Sequence, residues 1–265
     1  MPVLHTALPF APWVQPHARR LPGVMPLQRS DWLLVDPAYD RQMQARIALL
    51  AERPTEVLAS LPEANDAAEE VLAEVLRDLP EHGFRVSQSN VQCPDGRTVS
   101  LDQSDPLWKI GHLLQADFCI LQKPANTDEH VLTAAVLCFP SSWTLSEKLG
   151  RPLMRIHQPV QSYDPQMGLR VQRMFDMMRP EQPLWRANLL PYTNPDLYQP
   201  KPENRPKEKS ADGAYIRSER QCLLKLPRSN AVIFSIHTAI IHRSALDHEQ
   251  RAALAEIQDS AQGLL

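Results

Sequence analysis

Two apolar runs separated by a short polar turn constrain this chain most. Residues 218–227, SERQCLLKLP, and 230–241, NAVIFSIHTAII, are rich in β-branched and large apolar residues, and RSN at 228–230 joins them. That pattern is a β-hairpin. Two further runs share its character: FCILQ at 118–122 and HVLTAAVLCF at 130–139, separated by the polar KPANTDE. LMRIHQPV, from 153, reads as another strand. Short strands so closely spaced pair antiparallel.

Helical segments surround them. PAYDRQMQARIALL predicts a helix over 37–51, with Asp36 as cap and Pro37 at its first position. NDAAEEVLAEVLRDL predicts one over 65–79, capped by Asn65 or Asp66. Asp164 and Pro165 open a third, to about 178, with Met167, Val171, Met174, Phe175 and Met178 on one stripe. Ser244 with Asp247 resembles a capping arrangement for a last helix to about 260. PDGR at 94–97 is a turn, and 199–213 is a polar, proline-interrupted loop. The fold class is therefore α+β: an antiparallel sheet with flanking helices and an extended N-terminal arm. Residues 1–30 form the irregular arm and 31–265 a single domain.

Composition narrows the function. A net charge of −3 with dispersed basic residues gives no electrostatic grip on nucleic acid. No apolar run reaches membrane-span length, and the proline-rich N-terminus lacks the pattern of a secretion signal. Cys93, Cys119, Cys138 and Cys222 lie far apart, without the close pairs of a zinc or iron–sulfur site. They read as free thiols of a cytoplasmic protein. With 25 prolines and only 8 glycines, the chain shows no glycine-rich phosphate loop.

Several side chains carry chemistry. His157, just before Pro159, is either a ligand or a hydrogen-bonded structural histidine. His112 and His237 sit in apolar stretches and admit the same two readings. Arg217 and Glu219 share one face of a strand, with Arg220 on the other. An arginine beside a cavity can fork onto a carboxylate, and a carboxylate there can hold an ammonium group; a plain ion pair is the alternative. Trp143 and Lys148 line or anchor a pocket, Arg186 and Asn188 lie in a semi-buried segment, and Asp117 is a turn cap or a pocket acid. The Ser pair in FPSSW lacks a nucleophile elbow, which argues against a serine hydrolase.

The order LLQADFCIL, CFPSSWTLSEKLGRPLMRIHQPV, WRANL, RSERQCLLKLPRSNAVIFSIHT resembles the α-subunit family of haem-dependent oxidative N-demethylases, over about residues 32–242. The resemblance implies a PAS-like haem-binding domain. It implies a monooxygenase that oxidises a small secondary amine such as dimethylamine with O2, releasing formaldehyde. Electrons would come from NADPH through separate reductase subunits carrying FMN and a 2Fe–2S cluster. Carried over by motif, His157 becomes the haem b iron ligand. Arg220, Arg186, Asn188, Lys148 and Trp143 become cofactor-binding residues. Glu219, with Asp117 second, becomes the catalytic, amine-facing carboxylate. The chain departs from the family pattern at Ala116, Gln161, Leu189 and Cys222. A haem-binding sensor or carrier without turnover, and a haem-free scaffold, are the competing readings.

Overall fold

The computed structural model describes residues 2–19, 23–159, 163–205 and 213–259. After the arm come β1 (Met25–Pro26), α1 (Tyr39–Glu52), α2 (Pro54–Val57), β2 (Leu58–Ser60) and α3 (Asn65–Asp78). A small three-stranded sheet follows, of β3 (Arg85–Val86), β4 (Asn90–Gln92) and β5 (Thr98–Ser100), then α4 (Pro106–Leu113). The central strands β6 (Asp117–Gln122) and β7 (Val131–Val136) lead to α5 (Leu145–Lys148), α6 (Leu153–His157) and α7 (Pro165–Met177). The chain closes with β8 (Leu184–Ala187), β9 (Leu190–Tyr192), β10 (Tyr215–Lys225), β11 (Val232–His242) and α8 (His248–Asp259).

The hairpin forms as its sequence predicts. β10 and β11 pair along their whole length, and Asn230 takes the positive φ of the turn. They lie at the centre of an antiparallel sheet in the order β1-β8-β10-β11-β6-β7-β2, with β9 also on β10. The fold is therefore α+β with an antiparallel sheet, as expected.

Strand alternation separates the sheet into two faces. On one, Phe118, Cys222 and Ile233 join the large core with α1, α3 and α4, and Trp32 donates its indole N–H to Ser235 (3.2 Å). The arm covers part of this face: Phe10 meets the His237 ring edge-on, and His5 bridges to Ile241. On the other face, Cys119, Leu121, Ala135, Leu223 and Phe234 pack with Leu153 of α6 and Phe175 of α7. The Met-rich stripe of α7 is the packing face, and Asp164 caps the helix by accepting from the Met167 amide (2.7 Å).

Four readings need correction. The first helix begins at Tyr39, not at Pro37, and Ala38, not Asp36, holds its cap position. The segment from Leu153 to His157 is helical, not a strand; its Leu, Met and Arg are good helix formers, and the Ile156 amide bonds back to Pro152. Neither Asn65 nor Asp66 caps α3, which continues from a 3-10 turn at Pro62–Ala64. Asp247, not Ser244, caps α8, exchanging bonds with Gln250 in both directions. Of the 199–213 loop, 206–212 lies outside the described residues, as does Gln161.

One buried carboxylate ties these layers together. Asp36 Oδ2 accepts from His5 Nε2 (2.8 Å) and His237 Nε2 (2.9 Å), and Oδ1 from the Ala38 amide and Gln115 Nε2 (both 2.8 Å). Bonds from His237 and His5 hold the Asp36 carboxyl far below its usual range, outweighing the opposing effect of burial. Burial pushes the His237 imidazole down, so it is neutral in the fold. Both folded-state values are depressed, so both contributions are present at high pH. The His237 part is lost as pH falls below about 6.5 and the Asp36 part as it falls below about 4. Asp36→Ala strands two histidines and costs about 3 kcal/mol; urea unfolding from pH 8 to 2 should show a lower midpoint near neutrality and, below about pH 4 where the Asp36 part is lost, a flatter decline than the unmutated chain.

Candidate functional site

The helix-covered face of the sheet gathers most of the candidate polar residues. Glu219 lies on β10 and is buried. Its Oε1 accepts from Arg217 Nε (3.0 Å), and its Oε2 from Asn188 Nδ2 (2.9 Å) and Gln221 Nε2 (3.2 Å). Asn188 holds the same residue through the backbone: its Oδ1 accepts from the Glu219 amide (2.8 Å) and its own amide donates to the Glu219 carbonyl (3.1 Å). It can do so because it stands at the break between β8 and β9, both of which pair with β10. Arg217 is wholly buried and spends its other nitrogens on the carbonyls of Leu197 (3.0 Å) and Phe139 and on Thr238 Oγ1 (3.3 Å).

Arg186 is on the same face, paired in register with Gln221. Its Nε is buried and has no hydrogen-bond partner among the described residues. Burial lowers the tendency of this guanidinium to stay charged, and the Glu219 carboxylate opposes that.

His157 ends α6, half-buried, with its ring stacked on Tyr163 (centroids 4.2 Å apart, planes at 17°). Nδ1 lies 2.9 Å from the Leu153 carbonyl one helical turn back. A carbonyl only accepts, so Nδ1 carries the proton and Nε2 the lone pair. Burial pushes the imidazole pKa down, the Leu153 bond opposes this, and the Lys148 charge adds to the lowering. The ring is therefore neutral, with Nδ1 held by a backbone acceptor within its own helix and Nε2 unprotonated. Among the described residues no group of three or more His, Cys, Asp or Glu is placed to hold a bare metal ion.

The remaining candidates fall elsewhere. Arg220 points to the arm-covered face and donates to the carbonyls of Asp31 and Trp32 (3.1 Å to Trp32). With His237, Ser235, Cys222 and Trp32 it lines a small cavity there. Lys148 is tied to Glu203 and to the Ile156 carbonyl (2.6 Å), bracing the end of α6. Trp143 packs against the apolar cluster beneath α6 and α7. His112 bonds the Trp108 carbonyl (2.8 Å) and stacks on Trp108, a local helical arrangement.

Asp117 is fully buried, and its carboxylate accepts from Arg46 Nη1 (2.6 Å) and the amides of Cys138 (2.7 Å) and Phe139 (2.9 Å). It anchors the chain leaving β7. Sequence reasoning passed over two buried histidines: His5, which completes the Asp36 cluster, and His130, whose Nδ1 meets Gln172 Oε1 (2.8 Å). His5 lies in the irregular arm and His130 at the very start of a strand run, where neither shows a local signal.

The fold is an α+β domain whose antiparallel sheet carries the network of Glu219, Arg217 and Asn188 on one face. Residues 23–263 match the family model for the haem-dependent oxidative N-demethylase, alpha subunit-like proteins, and the chain belongs to that family. The match takes in Trp143, Lys148, His157, Arg186, Asn188, Glu219 and Arg220 and omits most of the arm that supplies His5. No helix among the described residues is long and apolar enough to cross a membrane. The anchoring geometry of Asp117 predicts that Asp117→Ala, which leaves Arg46 buried without its carboxylate, costs about 3–5 kcal/mol in chemical denaturation.

Proposed function

We propose that this chain is the haem-binding subunit of an oxidative N-demethylase acting on a small secondary amine of the dimethylamine type. Family membership and the geometry of His157 support the reading together: Nδ1 committed to a backbone carbonyl, Nε2 with its lone pair. The donor chemistry suits haem b, because one neutral imidazole suffices where a porphyrin supplies the other four nitrogens. His157 would hold the iron, and the apolar cluster that includes Trp143, Leu153, Phe175 and Phe234 would flank the ring. Bound haem would supply O2 activation, the overall change being amine, O2, two electrons and two protons to formaldehyde, demethylated amine and water.

The protein's own residues orient and solvate. A secondary amine is cationic at neutral pH and needs a carboxylate in an apolar site. Glu219 is the candidate, because Oε1 accepts only the Arg217 bond and keeps a lone pair for a further N–H donor. Asn188 and Gln221 fix the carboxylate from its other oxygen. Lys148 acts at a distance by fixing the C-terminal turn of α6. Arg220, on the opposite face, supports the Trp32 segment. The electrons would come from separate subunits using NADPH, FMN and a 2Fe–2S cluster, in keeping with the alpha-subunit character of the family.

The test is the absorption spectrum of the protein expressed with a haem precursor. A Soret band should appear, and His157→Ala should abolish or shift it while the circular dichroism of the fold is kept. An unchanged spectrum in that variant sinks the ligand assignment. Glu219→Gln should keep haem and weaken the amine-induced spectral shift by about tenfold or more, as expected for a lost hydrogen bond to a charged group. If haem binds and no secondary or tertiary amine perturbs it, a sensor or carrier role replaces turnover.

A further inference from the structure

The charges on the helix-covered face do not balance. Glu219 and Arg217 neutralise one another across 3.0 Å, and Arg217 is otherwise consumed by two carbonyls and a hydroxyl. Arg186 is left over. It faces the same side, opposite Gln221 and therefore diagonal to Glu219, a relation that places Cβ atoms about 7–8 Å apart. Its Nε is buried without a partner among the described residues. A guanidinium so placed calls for an anion, and the best match to its planar fork is a carboxylate. Beside it, Glu219 retains capacity for a cationic N–H donor.

A cation site and an anion site one strand diagonal apart suit a ligand carrying both charges close together. Dimethylammonium would use Glu219 and leave Arg186 unpaired. A molecule whose ammonium and carboxylate are separated by one carbon would satisfy both. We infer that the substrate class is the N-methylated α-amino acids, the ammonium pairing with Glu219 and the carboxylate with Arg186. This rests on the N-demethylase reading and makes it more specific. The same carboxylate chemistry is present in the propionates of haem, and the experiment separates the two sources.

Binding of N-methylglycine, N,N-dimethylglycine and dimethylamine is measured on the full chain, by ligand-induced spectral shift with haem bound and by calorimetry with and without haem. The unmutated chain should bind N-methylglycine about tenfold or more tighter than dimethylamine, the gain of one charge-assisted pair. Arg186→Gln should erase that preference while haem content stays unchanged, and Arg186→Lys should retain part of it. Glu219→Gln should weaken both ligands. Equal or tighter binding of dimethylamine by the unmutated chain overturns the inference. So does loss of haem from Arg186→Gln, which would assign the guanidinium to the cofactor. If the unmutated chain takes up no haem, the N-demethylase reading fails separately. Calorimetry on the haem-free chain then decides the inference: an amino-acid preference that depends on Arg186 upholds it, and its absence rejects it.

Discussion

Asp36 is the point on which this architecture depends. A carboxylate removed from water is costly unless every lone pair is answered, and here four donors from the arm, the start of α1, the loop before β6 and β11 answer them. The bonds continue outward. Gln115 also reaches Gln42 Oε1 (3.0 Å), and Gln42 donates to the Thr238 carbonyl (2.9 Å). Thr238 in turn receives Arg217 through its hydroxyl. A continuous set of polar contacts thus links the clamp beneath the arm to the carboxylate network on the far side of the sheet. The sheet is held in register at the same positions where its functional candidates stand.

Strand alternation explains why neighbours in sequence do such different work. Arg217 and Glu219 face the helices, while Arg220 turns to the other side and supports Trp32. The resemblance groups Glu219 and Arg220 as one motif, yet the pleat divides them between a polar site and a packing joint. Asn188 depends on a further local feature, the break between β8 and β9, which frees its side chain and backbone to grip Glu219 together.

Much of this was legible in the sequence. The hairpin, the β6 and β7 runs and the α7 stripe follow from periodicity, and the Arg217–Glu219 face follows from counting by two. The α6 segment was misread because five residues beside a proline carry too little pattern to separate strand from helix. The Asp36 cluster was visible only as a helix cap, since His5 and His237 lie at opposite ends of the chain and no local signal joins them. β8 and β9 are short and interrupted, so their pairing with β10 is decided by tertiary contact and not by propensity. The loss of net neutrality at Arg186 likewise requires knowing which bonds Arg217 already makes.

The four cysteines acquire a use from where the sheet puts them. All are buried, with Cys119 under the helices and Cys222 under the Trp32 segment. Burial pushes the Cys222 thiol up to about 11 and Cys138 up to about 12, and raises Cys93 and Cys119 as well. Such thiols are chemically silent while covered. Each therefore acts as an internal clock: the time a thiol reagent takes to reach it records how often that layer lifts, and the two faces of one sheet can be timed independently.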